Sequence, residues 1–234
     1  MFHDREDAAR QLADQLDRRR LHQPLVLAIP RGGVVTGAVL AQELGADLDV
    51  VLSRKLRAPS QPELAIGAIA EDGQVYLNHH VEGFLDALQE YLAEERCRQL
   101  AEIARRQKLF RGDRPPARIA GRSIIVTDDG IATGSTMIAA LQAIRMQKPR
   151  TLIVAVPVAP PDRLEEVHRW CDDVVCLLTP EDFWAVGQFY EDFTQVEDEE
   201  VVELLRTFAS VARPEEAAPG GQGGTAASPA LPTG

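Results

Sequence analysis

Five mostly apolar runs alternate along this chain with helical stretches, and that alternation fixes the fold class before any other feature does. Leu25-Val26-Leu27-Ala28-Ile29, Leu48 to Leu52, Ser123-Ile124-Ile125-Val126-Thr127, Thr151 to Val158 and Val174 to Leu178 read as strands buried on both faces. Helical spacing fills the intervals: Val34 to Leu44, about Val81 to Phe110 through Phe84, Leu88, Leu92, Leu100, Ile103 and Leu109, a stretch ending near Gln147, and Asp162 to Trp170. Strand, loop, helix in repetition implies an α/β fold with a doubly wound parallel sheet and helices on both faces. Asp4 is placed to cap an opening surface helix of about 15 residues whose Ala9, Leu12, Ala13 and Leu16 share one face.

Other segments depart from this rhythm. Ser53 to Glu63, with two prolines and the cations Arg54, Lys55 and Arg57, reads as a loop; Leu64 to Ala70 and Gln74 to Leu77 flank the turn Glu71-Asp72-Gly73 and read as a two-stranded flap. Glu197 to Glu200 open a final helix from about Asp198 to Ala209, where acids favour the N-terminus, and carry no assigned chemistry. His79-His80 reads as a solvated turn. From Pro214 to Gly234 the chain is almost wholly Pro, Gly, Ala, Ser and Thr, which cannot repay the entropy of ordering, so a disordered tail follows a domain at 1–213.

In doubly wound sheets ligands collect at the carboxyl ends of the strands, so the loops after Ile29, Leu52, Thr127 and Leu178 are where a site belongs. The loop after Thr127 is the most informative: Asp128-Asp129-Gly130-Ile131-Ala132-Thr133-Gly134-Ser135-Thr136. Gly134 and three hydroxyls stand at a helix start, where unpaired amides converge and the dipole favours an anion. The dipole contributes only about 0.3–1 kcal/mol per charge, so amide and hydroxyl hydrogen bonds must supply most of the grip. Asp128 and Asp129 would repel that anion; vicinal sugar hydroxyls, which donate to carboxylates, suit them better. Acids for a sugar beside amides for its phosphate describe a phosphorylated ribose. A Walker loop is excluded because Ser135, not lysine, follows Gly134, and Gly32-Gly33 does not make a GxGxxG fingerprint.

Ile124 to Thr136 resembles the phosphoribosyl-pyrophosphate (PRPP) motif of the type I phosphoribosyltransferases: four hydrophobic positions, with Thr127 the polar exception, two acids, and a turn ending Thr133-Gly134-Ser135-Thr136. The resemblance extends over most of Val26 to Phe193. Pro30-Arg31-Gly32-Gly33 matches the family's pyrophosphate loop, and Ser53-Arg54-Lys55 with the hairpin behind it is similar to the mobile catalytic loop of adenine phosphoribosyltransferases. Pro180, Phe183 and Gly187 echo the Pro-x-x-Phe-x-x-x-Gly hood of hypoxanthine-guanine enzymes. Gly130 departs from the family, which often has a hydrophobic residue there, and implies a more pliable turn.

The resemblance implies a domain at 1–213 with a flap and a hood at about 179–196. It implies an enzyme of the pentosyltransferase class that uses PRPP and Mg²⁺ to ribosylate a nucleobase or similar nitrogenous acceptor, releasing diphosphate; a non-catalytic PRPP- or nucleotide-binding regulator on the same fold is the alternative. Asp128 and Asp129 would hold the ribose, and Arg54 and Lys55 the leaving diphosphate. Ile131, Ala132, Thr133, Gly134, Ser135 and Thr136 would hold the 5-phosphate; Arg31, Gly32 and Gly33 the diphosphate; Phe183 or Trp184 the acceptor, with Asp192 at its edge. Mg²⁺ would ride mainly on the substrate, with no residue set dedicated to it, and a homo-oligomer is the family-level expectation.

Charge and cysteine content bound the remaining classes. The formal charge of −11, from 25 Lys and Arg against 36 Asp and Glu, disfavours a nucleic-acid partner while leaving room for a small anion in a local positive pocket. No run of about 18 apolar residues and no signal-peptide plan are present, so a cytoplasmic protein without a membrane partner is expected. Cys97, Cys171 and Cys176 are odd in number and form no CxxC, which argues against a disulfide framework or a cysteine zinc site.

Overall fold

The computed structural model describes residues 1–16, 21–59, 61–77 and 85–211. The tail expected over 214–234, His79-His80, and Val81 and Phe84 of the long helix lie outside the described residues.

The parallel sheet expected from the apolar runs has five strands, β1 (Leu25–Ala28), β2 (Asp47–Val50), β6 (Ser123–Thr127), β7 (Thr151–Val158) and β8 (Asp173–Leu178), in the order β2-β1-β6-β7-β8, every neighbouring pair parallel. From β1 the chain winds one way to β2, and from β6 it winds the other way to β7 and β8. The order therefore reverses between β1 and β6, whose last residues Ala28 and Thr127 stand level. That junction is the crevice in which such sheets hold ligands.

Helices cover both faces. On one, α1 (Arg5–Leu16), α2 (Gly32–Leu44) and α6 (Asp198–Val211) pack Leu12, Leu16, Val34, Leu40, Val201 and Leu205 against Val26, Ile125 and Ile153. On the other, α4 (Ser135–Met146) and α5 (Pro161–His168) bring Met137, Leu141, Ile144 and Val167 onto Leu27, Ile124, Val126 and Val154. Asp4 does cap α1, its Oδ1 accepting from the Asp7 amide at 2.8 Å, and the face of Ala9, Leu12, Ala13 and Leu16 is buried. Among the described residues no helix is long and apolar enough to cross a membrane.

The flap differs from its sequence reading. It is a three-stranded antiparallel sheet, β3 (Arg54–Ala58), β4 (Gln61–Ile69) and β5 (Val75–Leu77), so the cationic stretch expected to be a loop is an edge strand. Pairing with the apolar β4 imposes the extended form; Leu56, 1% exposed among cations, joins Ile66 and Ile69 in the core. The long helix α3 (Leu85–Arg111) packs beside this sheet, with Ile103 and Phe110 in the same cluster as Leu56.

At the root of the flap lies a buried ionic node. Arg111, from the end of α3, donates to Asp49 on β2 (2.7 Å), to both oxygens of Glu71 in the flap turn, and to the Val50 carbonyl (2.5 Å). The acids take further donors: the amides of Val50 and Ala117 on Asp49, and the Leu52 amide and Gln107 side chain on Glu71. These partners offset the desolvation cost of the buried guanidinium, and removing one side of the node would leave uncompensated buried charge.

Candidate functional site

The site is built where the loops after β1 and β6 meet. The Ile29 amide donates to the Thr127 carbonyl at 2.9 Å, holding the two chains together past the ends of their strands. The following residues, Pro30 to Gly33, with a cis Pro30–Arg31 peptide, lie directly on the acidic pair. A Cβ on Gly32 would overlap Asp129 Oδ2, and one on Gly33 would stand 2.8 Å from Asp128 Cα. Only glycine admits this approach.

The two acids, expected to act alike, have different surroundings. Asp129 accepts from Arg5 Nε at 2.8 Å, and its main-chain carbonyl accepts from the Tyr190 hydroxyl at 2.6 Å. Asp128 accepts from the Asp129 amide at 2.9 Å. Desolvation first, and the neighbouring Asp129 carboxylate second, hold the Asp128 carboxyl well above the usual carboxylate range, with Arg5 opposing. Burial likewise pushes the Tyr190 phenol up, reinforced by Asp129.

Downstream of the acids, the Ile131 amide is tied to the Val158 carbonyl at 2.9 Å, anchoring one end of the turn. Gly134 takes a left-handed φ of 75° as the N-cap of α4. Ala132, Thr133 and Thr136 are exposed, with Thr133 Oγ1 3.4 Å from Ser135 Oγ. The first amides of α4 have no intrahelical acceptor and open onto this turn. Gly130 stands where a Cβ would come within 2.6 Å of Val186 Cγ1 and 3.0 Å of Val158 Cγ1. Its lack of a side chain lets the hood seat against the acidic turn, a packing reason in place of the expected pliability.

The cations expected at the strand ends are engaged in several directions. Arg31 reaches Glu197 Oε2 at 3.3 Å and Asp198 Oδ1 at 3.9 Å, so two of the acids opening α6 pair with the arginine of the glycine loop. Arg54 turns to α3, donating to Gln99 Oε1 at 3.0 Å; burial first, and then Arg106, lower its pKa. Lys55, next on the strand, takes the opposite face of β3. In the hood, Phe183 packs on Phe189 with ring centroids 5.4 Å apart, whereas Trp184 is 91% exposed. Asp192 accepts from the Thr194 amide and hydroxyl at 2.9 and 2.6 Å, which makes it part of a turn. A cavity of about 180 Å³ borders Asp49, Glu71 and the C-terminal half of α4, and includes none of the residues of the acidic turn or the glycine loop.

Two residues of this cluster escaped sequence reasoning, Arg5 and Tyr190, whose hydroxyl reaches the Asp129 carbonyl. Arg5, in the first turn of α1, is buried, ion-paired to Asp129, and stacked on Phe193 at 3.9 Å from the ring centroid. Its only sequence signal was its position: a cation in the first turn of a helix opposes the helix dipole and needs a partner elsewhere.

A glycine loop pressed on an acid pair at the reversal of a parallel sheet, beside an open helix N-terminus, is accompanied by a family match. The model of the phosphoribosyl transferase domain fits residues 1–194. The chain belongs to this family. As a phosphoribosyl transferase domain it is 45% identical over 207 residues to proteins of two Mycobacterium tuberculosis strains, CDC 1551 and H37Rv, whose names place them among the phosphoribosyl transferases. The match covers 88% of this chain and 46% of theirs, so the chain spans about half the length of those curated relatives. The crystal structure of TT1426 from Thermus thermophilus superposes with a TM-score of 0.83 at 42% identity, covering 88% of this chain and 98% of that one. The phosphoribosyl transferase domain thus carries an α/β fold shared with TT1426 over nearly all of the latter's length.

Proposed function

We propose that this phosphoribosyl transferase domain binds PRPP at the β1–β6 junction and transfers its phosphoribosyl group to a nucleobase or similar nitrogenous acceptor, with release of diphosphate. The observation that carries the reading is the contact of Gly32 and Gly33 with Asp129 and Asp128. It puts a loop of small residues, able to bring amides to a diphosphate, within one sugar's reach of carboxyls able to accept from ribose hydroxyls.

The residues divide the work by chemistry. Amides and hydroxyls of Ala132 to Thr136 hold the 5-phosphate at the start of α4. Ribose hydroxyls donating to Asp128 favour its ionised form and oppose the burial that raises its pKa, and the carboxylate so formed favours positive charge on the sugar ring as the C1–O bond lengthens. Arg31 and Lys55 stabilise the charge gathering on the departing diphosphate, a contribution that grows toward the transition state. The flap covers the sugar and keeps out water, whose attack is the competing reaction. Among the described residues no group of three or more His, Cys, Asp or Glu side chains converges, and Asp129 is committed to Arg5. That donor set fits a Mg²⁺ whose oxygens come mainly from the diphosphate and ribose, where it supplies charge neutralisation when bound. The exposed Trp184 offers a planar face to an acceptor ring.

A second reading, a regulator that binds PRPP or a nucleotide without turnover, is favoured by one observation: Arg54 and Arg31, two of the cations assigned to the leaving group, are engaged by Gln99 and Glu197. One experiment separates the two. Purines, pyrimidines and small amines are screened for PRPP-dependent diphosphate release beside a thermal-shift titration of PRPP alone. Release with one acceptor class supports the transferase, and stabilisation without release supports the regulator. Asp128→Asn with Asp129→Asn is expected to weaken PRPP binding or turnover at least tenfold, about 1.4 kcal/mol; unchanged values in a folded protein would refute the ribose assignment.

A further inference from the structure

Arg5 touches three walls of the site at once. Its Nε donates to Asp129 Oδ2 at 2.8 Å, its Nη1 donates to the Thr194 carbonyl at 2.8 Å, and its guanidinium lies over the Phe193 ring. The same Nε stands 3.0 Å from where a Cβ on Gly32 would be. Acid turn, glycine loop and hood therefore share one side chain, which is itself only 10% exposed.

The backbone behind Arg5 is fixed as firmly as the side chain. Phe2 N donates to the Phe189 carbonyl at 2.8 Å, Glu191 N to Phe2 O at 2.9 Å and Asp192 N to His3 O at 2.8 Å, so the first residues run as a short ladder along the hood. Asp4 then caps α1 and delivers Arg5 beneath the pyrophosphate loop. A guanidinium held at both ends positions what it binds.

Asp129 needs such a partner. Two adjacent, partly buried carboxylates repel each other, and without a cation Asp129 would turn toward Asp128 or press on Gly32. We infer that Arg5 is a positioning residue of the PRPP site: it fixes the Asp129 carboxyl under the glycine loop, and thereby leaves Asp128 as the acid that meets the ribose hydroxyls. This inference rests on the PRPP reading above. Lysine in its place supplies a charge to Asp129 but cannot serve Asp129, Thr194 and Phe193 together, because it lacks the planar fork.

The test needs no acceptor. PRPP binding in the presence of Mg²⁺ is measured by calorimetry for the wild type, Arg5→Met, Arg5→Lys, Asp129→Asn, Asp128→Asn and two double variants, Arg5→Met/Asp129→Asn and Arg5→Lys/Asp129→Asn, well below each protein's thermal midpoint. Arg5→Met is expected to weaken PRPP at least tenfold, and Arg5→Lys to recover part of that loss. In the Asp129→Asn background the same Arg5→Met change is expected to cost less than twofold, because the group through which Arg5 acts is already neutral. A merely structural arginine would give independent, additive losses, and that result overturns the inference. If Arg5→Met does not fold, Arg5→Lys is read the same way: weaker than wild type with Asp129 present, and indistinguishable from its background once that acid is changed by Asp129→Asn. Wild type failing to bind PRPP overturns the functional reading and this inference together. PRPP binding that is lost in Asp128→Asn yet unchanged in Arg5→Met overturns this inference alone.

Discussion

Removing the Arg111 guanidinium is expected to be among the most damaging single changes available outside the β1–β6 junction. Arg111→Met keeps the aliphatic stem and deletes the donors to Asp49, Glu71 and the Val50 carbonyl. The side chains concerned are 4% exposed for Arg111, 9% for Asp49 and 18% for Glu71, so water cannot readily replace the lost partner. Breaking a buried pair from one side costs about 3–5 kcal/mol. The lower end applies, because Asp49 keeps the Ala117 amide at 2.8 Å and Glu71 keeps the Leu52 amide at 3.0 Å and Gln107 at 3.1 Å. At roughly 2–4 °C per kcal/mol for a domain of this size, about 3 kcal/mol lowers the melting midpoint by about 6–12 °C. Circular-dichroism melts of wild type and variant, with urea titrations to confirm an unchanged slope, measure it. Amide exchange should quicken first at Leu52, whose donor bond to Glu71 depends on that carboxylate staying in place. A companion variant with Asp49→Asn and Glu71→Gln added should recover part of the loss, since neutral amides are cheaper to leave buried. A midpoint drop under about 2 °C would refute the reasoning, for it is the response of a solvent-screened surface pair.

Three further outcomes follow from the site and its surroundings. Gly130→Ala drives a Cβ to 2.6 Å from Val186 and should cost about 1–3 kcal/mol in urea unfolding by unseating the hood; wild-type stability would show that the hood is not packed on the acidic turn. Glu197→Gln weakens the exposed hold on Arg31, worth about 0.2–1 kcal/mol, so Mg²⁺-diphosphate should bind up to about fivefold more tightly by calorimetry, and weaker binding would remove Arg31 from the diphosphate site. His3 titrates above the usual histidine value, chiefly through its hydrogen bond to Glu191 and then through Asp4. Because the folded pKa is raised, the contribution of this contact is complete below the unfolded value and is lost as pH rises through the folded one; an NMR titration should show His3 shifted upward in wild type and less so in Glu191→Gln, and equal values would contradict the contact.

Much of the scaffold was legible because it obeys local rules. The run Ile124-Ile125-Val126 is apolar on both faces because β6 is central, and the small and hydroxyl residues after it cannot continue a strand. β3 was not legible, because in Arg54-Lys55-Leu56-Arg57 a single apolar residue carries the burial and the strand exists only through its pairing with β4. Asp49 was a signal left unread: an acid inside an apolar strand implies a buried partner, but nothing local shows that the partner is Arg111, more than sixty residues on. The difference between Asp128 and Asp129 was equally hidden, since it arises from Arg5 and Tyr190 on either side of them in the chain. Local pattern thus located the acids and the glycine loop, while the long-range ion pair and hydrogen bond that distinguish Asp129 from Asp128 depend on tertiary placement.

The ladder between residues 2–3 and the hood has a practical side. The first few residues of a domain are ordinarily the safest to trim, being the most prone to fray, and Met1, 79% exposed, fits that habit. Phe2, 3% exposed, does not. An expression version shortened by five residues would look like routine tidying of a terminus, yet it would remove the buried ring, the helix cap and the guanidinium in one cut. Such a version is expected to lose its response to PRPP in the thermal-shift titration for a reason unrelated to the ligand. Any shortened version of this protein has to keep Phe2, Asp4 and Arg5.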